Sequence, residues 1–299
     1  MADQLELFES LVPSKATKPV KKSQKQVVNV ASVPQRSPFR YPGGKTWLIP
    51  EVRKWLRQDG VAVPLLIEPF VGGGIVSLTA GAEKLARRII IVELDNEVCA
   101  VWKTIFSEDN AWLGDRIKQF DLTAENVNFE LTRTDKLTRD VAFCTILKNR
   151  TFHGGIIAKG SGFLKSGENG KGILSRWYPD TLQNRISAIQ PIIPIVDVIE
   201  GNAFDIIPQY QEDASAYYFI DPPYVGAGRR LYNCFELDHA KLFEEVSKIK
   251  GRYMLTYDDT EEVRELAKHY NLAFETIPMK TTHHLEKREI IVSDNFDWM

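Results

Sequence analysis

Short apolar runs return at intervals along this chain, and helix-length stretches separate them. Val63–Ile67, Arg88–Val92, Ile193–Ile199, Ala216–Ile220, Arg252–Thr256 and Glu289–Ser293 are rich in aliphatic or aromatic residues and too short to be buried helices. Near-continuous apolar runs of this length read as strands covered on both faces. Helical patterns lie between them, over Thr46–Arg57, from the Gly72–Gly74 turn through Leu85, onward from Asn96, and over Asp238–Lys250 and Glu261–His269. Such repetition predicts an α/β fold, a doubly wound and mostly parallel sheet with helices on both sides.

The repetition lapses over residues 106–190. Helical stretches there give way to a glycine-rich segment, 153–172, with little apolar periodicity. Long irregular segments inside compact domains are as a rule functional or disordered. The 299-residue chain carries a net charge of only −2, yet residues 148–185 hold Lys148, Arg150, Lys159, Lys165, Lys171, Arg176 and Arg185 against Glu168 and Asp180. Local positive charge on a near-neutral protein fits a phosphate-binding surface; a solvated loop is the plainer account. We read 106–190 as an inserted helical and hairpin recognition subdomain, with 36–105 and 191–299 forming the main domain. Residues 9–38, rich in Lys, Ser, Pro and Gln, point to a flexible tail over 1–35, with globular structure starting near Phe39. An apolar content of 43% suffices for a sizeable core. Three scattered cysteines, Cys99, Cys144 and Cys234, match neither a disulfide framework nor a metal site. With no membrane-length apolar run and no signal-peptide layout, the expected location is the cytoplasm.

Two motifs fall where such sheets bind ligands, beyond the carboxyl ends of strands. Asp221-Pro222-Pro223-Tyr224 follows Ala216–Ile220. The prolines stiffen the turn and, lacking N–H groups, offer only acceptor carbonyls. Asp221 adds an acceptor and Tyr224 an aromatic face. This set can orient both N–H groups of an aromatic amine while its ring stacks on Tyr224; a rigid turn with a helix-capping Asp is the structural alternative. Glu68-Pro69-Phe70-Val71-Gly72-Gly73-Gly74 follows the first strand, and glycines there let backbone approach a ligand closely. The spaced third glycine of a dinucleotide fingerprint is missing, with Val76 and Ser77 in its place. Glu93, at the end of the next strand, is placed to accept from ribose hydroxyls. Nearer the N-terminus, Tyr41-Pro42-Gly43-Gly44-Lys45 sets an ammonium on a glycine loop, either a partner for a ligand carboxylate or a surface lysine.

In order and spacing these three motifs resemble the Dam-like N6-adenine DNA methyltransferases of the D-P-P-Y type, whose pattern runs W/Y-x-G-G-K, E/D-P-F-x-G-x-G, D-P-P-Y. Leu147-Lys148-Asn149-Arg150-Thr151-Phe152-His153-Gly154 is similar to the family's N-R-x-x-x-G element, which leads into a DNA-contacting hairpin. Arg288–Asn295 is similar to its final strand. The resemblance extends over 36–299 and implies a Rossmann-like class I methyltransferase, with S-adenosylmethionine as cofactor and double-stranded DNA as partner. Carried over by position, Tyr41, Lys45, Glu68, Phe70, Gly72, Glu93 and Asp221 line the cofactor pocket. Asn202 stands where many methyltransferases of this fold have an Asp near the cofactor's adenine, and its amide oxygen can still accept from the adenine amine. Asp221, Pro222, Pro223 and Tyr224 take the catalytic role, while Lys148, Asn149, Arg150, Lys159 and Lys165 contact DNA. A third glycine in Gly72–Gly74 is expected to make the turn softer than the family's common G-A-G.

The chemistry so implied is base flipping, then direct in-line attack of adenine N6 on the cofactor's methyl group, with no covalent enzyme–base adduct. N4-cytosine or RNA adenine methylation is the nearest alternative. A dinucleotide-dependent oxidoreductase and an inactive DNA-binding homologue are the distant ones. Gln4-Leu5-Glu6-Leu7-Phe8 also resembles the Q-L-x-L-F peptide with which proteins bind the bacterial sliding clamp. Such a tether would hold the enzyme at the nucleoid by raising its effective concentration on DNA; a chance five-residue match is the alternative.

Overall fold

In the computed structural model, which describes residues 33–40, 43–158, 160–167, 170–224, 237–280 and 286–299, the alternation closes into a seven-stranded sheet. Its strands are β1 (Val63–Glu68), β2 (Ala86–Glu93), β3 (Val196–Glu200), β4 (Ala216–Ile220), β5 (Arg252–Asp258), β6 (Phe274–Lys280) and β7 (Glu286–Ser293), in the order β3-β2-β1-β4-β5-β7-β6. The pairings among β1 to β5 are parallel. β7 enters antiparallel between β5 and β6. Chain order reverses between the adjacent strands β1 and β4, and at such a switch point the loops diverge and leave a crevice for ligand.

The period-two geometry of strands explains why the sheet is dry on both faces. Leu66, Ile89, Ile91, Phe219 and Ile291 belong to one buried cluster, shared with α1 (Ile49–Leu56), α2 (Ile75–Ala82), α3 (Asn96–Ile105), α4 (Asn110–Gln119), α5 (Ala124–Thr132), α6 (Thr138–Thr151) and α7 (Pro179–Ser187). Their alternate neighbours Leu65, Ile67, Ile90, Val92, Ile220 and Ile290 belong to a second, shared with α8 (Ala203–Tyr210), α9 (His239–Ser247) and α10 (Glu261–His269).

Several details differ or are added. Leu113, Ile117, Val127, Phe143, Ile146, Leu147, Leu182 and Ile186 of the segment 106–190 share one cluster with the sheet residues Leu66 and Phe219. Ordered structure starts before Phe39: Val33 is itself buried in that cluster, inside the region read as tail. The strand anticipated from Ile193 begins only at Val196, because Gln190–Ile195, with Pro191 and Pro194, is a 3-10 turn. β6 was not anticipated at all. Its Pro278 argues against a central strand, but β6 pairs with β7 at the sheet edge, where proline is tolerated. Gln4–Phe8, Tyr41 and Lys159 lie outside the described residues. Among the described residues no helix is long and apolar enough to cross a membrane, and no group of three His, Cys, Asp or Glu is placed to hold a metal ion.

Candidate active site

A cleft of about 400 Å³ lies across the switch point, within the range of small-molecule sites. The turn after β1 forms one wall. Gly72 and Gly74 both adopt positive φ, 43° and 63°, and Gly74 is the left-handed cap of α2. A Cβ at Gly74 would lie 2.8 Å from the Trp102 ring, whose Nε1 donates to the Gly72 carbonyl at 3.0 Å. The glycine at 74 is what lets the turn pack under Trp102.

Carboxylates fasten this wall from below. Glu68 is buried and accepts from the Ser77 hydroxyl and, at 3.1 Å, from the Ser77 N–H, which ties it to the first turn of α2. Burial pushes its pKa up to about 8. Glu93 accepts from the N–H groups of Gly72 at 3.2 Å and Asp95 at 3.0 Å, and burial raises it to about 7. Glu68, Phe70, Gly72, Glu93 and Asn202 all line the cleft, as do Leu94 and Phe204, which sequence reasoning passed over. The Asn202 amide oxygen accepts from the Phe204 N–H at 3.0 Å, so it first caps α8.

The opposite wall is the Asp221–Tyr224 turn. Asp221 Oδ1 accepts from the Thr256 hydroxyl at 2.8 Å and pairs with Lys45 Nζ at 2.8 Å. Lys45 is no surface residue: it is only 3% exposed, donates to the Gly43 carbonyl at 3.0 Å, and lies 4.8 Å from the Tyr224 ring centroid. The ammonium assigned to a ligand carboxylate is thus engaged with Asp221. Tyr224 stacks on Tyr257 with centroids 5.7 Å apart, and Tyr257 is hydrogen bonded to His239 Nδ1 at 2.8 Å. The Tyr224 hydroxyl donates to Glu289 Oε2 at 3.3 Å, and that same oxygen is 3.9 Å from Lys45 Nζ. Burial holds the Tyr224 phenol well above its ordinary range and lifts Glu289 to about 7.

Glu289, Thr256, Tyr257 and His239 escaped the sequence reading. The signal available for Glu289 was a charged residue entering an apolar strand. It could not be used without knowing that β7 runs antiparallel, which brings Glu289 beside Asp258 at the carboxyl end of β5.

The residues assigned to DNA divide. Asn149 and Arg150 are 1% and 4% exposed and serve the fold. Asn149 exchanges hydrogen bonds with the Arg40 backbone at 2.9 Å and donates to the Gly155 carbonyl at 2.9 Å. Arg150 donates to the Pro38 carbonyl. Burial, reinforced by repulsion from Arg185, Arg40 and Arg176, lowers its pKa to about 9. Lys148 is half-buried and ion-paired with Glu97 at 2.5 Å. Lys165 is exposed, as is Lys171.

The family model for D12 class N6 adenine-specific DNA methyltransferase matches residues 41–144, which takes in the glycine-rich motifs and Glu93 but stops short of Asp221. A comparison with curated proteins gives no match. Among solved structures, a Pyrococcus horikoshii protein described as an RNA methyltransferase is 10% identical, with 85% of this chain and 84% of that one covered and a TM-score of 0.40. The rRNA methyltransferase aviRa from Streptomyces viridochromogenes is 14% identical, with 85% and 86% covered and a TM-score of 0.39. A precorrin-6y C5,15-methyltransferase from Geobacter metallireducens is 11% identical, with 86% and 91% covered and a TM-score of 0.38. The substrates of those proteins are their own. The family match supports a methyltransferase.

Proposed function

We propose, proceeding from the D12-class match over 41–144, that this chain methylates adenine N6 in double-stranded DNA using S-adenosylmethionine. The observation that carries the reading is convergence. A glycine cradle at 72–74 and the Asp221-Pro222-Pro223-Tyr224 acceptor set, some 150 residues apart in sequence, face one cleft.

The residues present fit the cofactor. Gly72 and Gly74, at positive φ, bring bare backbone to the cleft wall, Glu93 offers carboxylate lone pairs to ribose hydroxyls, and Phe70, Leu94 and Phe204 offer apolar surface to an adenine ring. Bound there, S-adenosylmethionine would supply a methyl group activated by a sulfonium. The protein's own task is the amine. An exocyclic amine delocalises its lone pair into the ring, and hydrogen bonds accepted from its two N–H groups favour the pyramidal form that can attack. Thr256 and Lys45 both meet Oδ1 of Asp221, and no described residue donates to Oδ2, which accepts one amine N–H and then takes the proton the amine sheds. A proline carbonyl accepts the other. Tyr224, braced from behind by Tyr257, stacks on the flipped base.

The test is to incubate the full chain with S-adenosylmethionine and duplex DNA, then digest to nucleosides and identify the product by mass spectrometry. N6-methyladenine is expected. N4-methylcytosine, or methylation of RNA in place of DNA, would overturn the adenine-in-DNA assignment.

A further inference from the structure

We propose that Glu289 is a positioning residue of the methyl-transfer site: its carboxylate holds the Tyr224 ring in place for the target base and draws the Lys45 ammonium toward itself, keeping Asp221 able to receive the amine. The inference rests on the reading of the cleft just given.

Glu289 lines the cleft yet is only 4% exposed. Its Oε2 accepts from the Tyr224 hydroxyl at 3.3 Å and lies 3.9 Å from Lys45 Nζ, which pairs with Asp221 at 2.8 Å. One ammonium thus serves two carboxylates, and the ring between them is the one the base would stack on. The groups facing Glu289 are Lys45 from the 3-10 turn Lys45–Leu48 before α1, Asp221 and Tyr224 from the turn after β4, and Asp258 at the end of β5. Ionised, Glu289 accepts from the tyrosine and competes for Lys45. Protonated, it releases Lys45 to Asp221 alone, and an Asp221 saturated by a full ammonium is a poorer acceptor for an amine N–H.

Burial raises Glu289 to about 7 against the opposing pull of Lys45 and Tyr224, so the working, ionised form prevails above that pH and is lost below it. The kcat of the wild-type chain on duplex DNA should fall as pH drops through about 7. Glu289→Gln keeps the shape and removes the charge. It should lose that acid limb and lower kcat at alkaline pH by about tenfold to a hundredfold, the kinetic equivalent of one hydrogen bond to a charged group. Cofactor affinity, read by calorimetry, should change far less. Tyr224→Phe removes a hydrogen bond that favours ionised Glu289 and should move the limb to higher pH, a displacement that a merely structural carboxylate would not give. A Glu289→Gln profile superimposable on the wild-type profile overturns the inference alone. A wild-type chain that puts no methyl group on DNA adenine overturns the reading beneath it, and the inference with it.

Discussion

At Gly74 the chain needs the absence of a side chain twice over, once for a left-handed φ of 63° and once for the Trp102 ring 2.8 Å from where a Cβ would be. Gly74→Ala should therefore destabilise the fold by about 1–3 kcal/mol and weaken S-adenosylmethionine binding, measurable by thermal unfolding and by calorimetry. Asp221→Ala removes the acceptor proposed for the amine while leaving Lys45 a partner in Glu289. It should abolish transfer with little change in melting temperature, and wild-type turnover would refute the assignment. Arg150 and Asn149 behave differently from what their place in an N-R motif suggests. Their bonds to Pro38 and Arg40 seat the segment 33–40, so Arg150→Ala should cost about 1–3 kcal/mol of stability. A loss of DNA affinity with an unchanged melting temperature would contradict that role. The identity of most cleft residues was legible in the sequence because their motifs are contiguous. Burial was not, since a basic residue on a helix looks the same whether it faces phosphate or a carbonyl.

At the scale of elements, the strands buried on both faces announced themselves by length and composition, and Ala216–Ile220 and Glu261–His269 fall where the pattern put them. The pattern carries no information on strand direction. β7 was recognised as a strand, yet only its antiparallel entry beside β5 brings Glu289 to the site. Pro278 hid β6 for the opposite reason: an edge position suspends the rule that excludes proline from sheets. The connection between α6 and α7 keeps the exposed charges Lys165 and Lys171 clear of the core. Neutralising both should weaken duplex binding and flatten its salt dependence, by about one unit of slope for each phosphate left without its cation, with cofactor affinity unchanged. A salt titration of binding by fluorescence anisotropy checks this. An unaltered slope would place the DNA elsewhere.

For the molecule as a whole, the cleft is a reservoir of costly carboxylates. Burial lifts Glu68 to about 8 and Glu93 and Glu289 to about 7. The unfolded chain releases these protons near pH 4, so their contribution to stability is intact below that value and is lost as pH rises through 7 to 8. The ligand-free protein should therefore melt at a lower temperature at about pH 8 than at about pH 5, and Glu68→Gln should flatten the trend. A melting temperature that climbs over this interval would show the carboxylates ionised throughout. The shared core has a different consequence. α4 to α7 bury Leu113, Val127, Phe143, Leu147 and Leu182 in the same cluster as the sheet residues Leu66 and Phe219. A segment packed in this way is not a cassette. Grafting residues 106–190 from a relative would tear the host's interior as well as change its surface. Altering that segment would have to proceed by point changes on its outward face, with everything beneath left as it is.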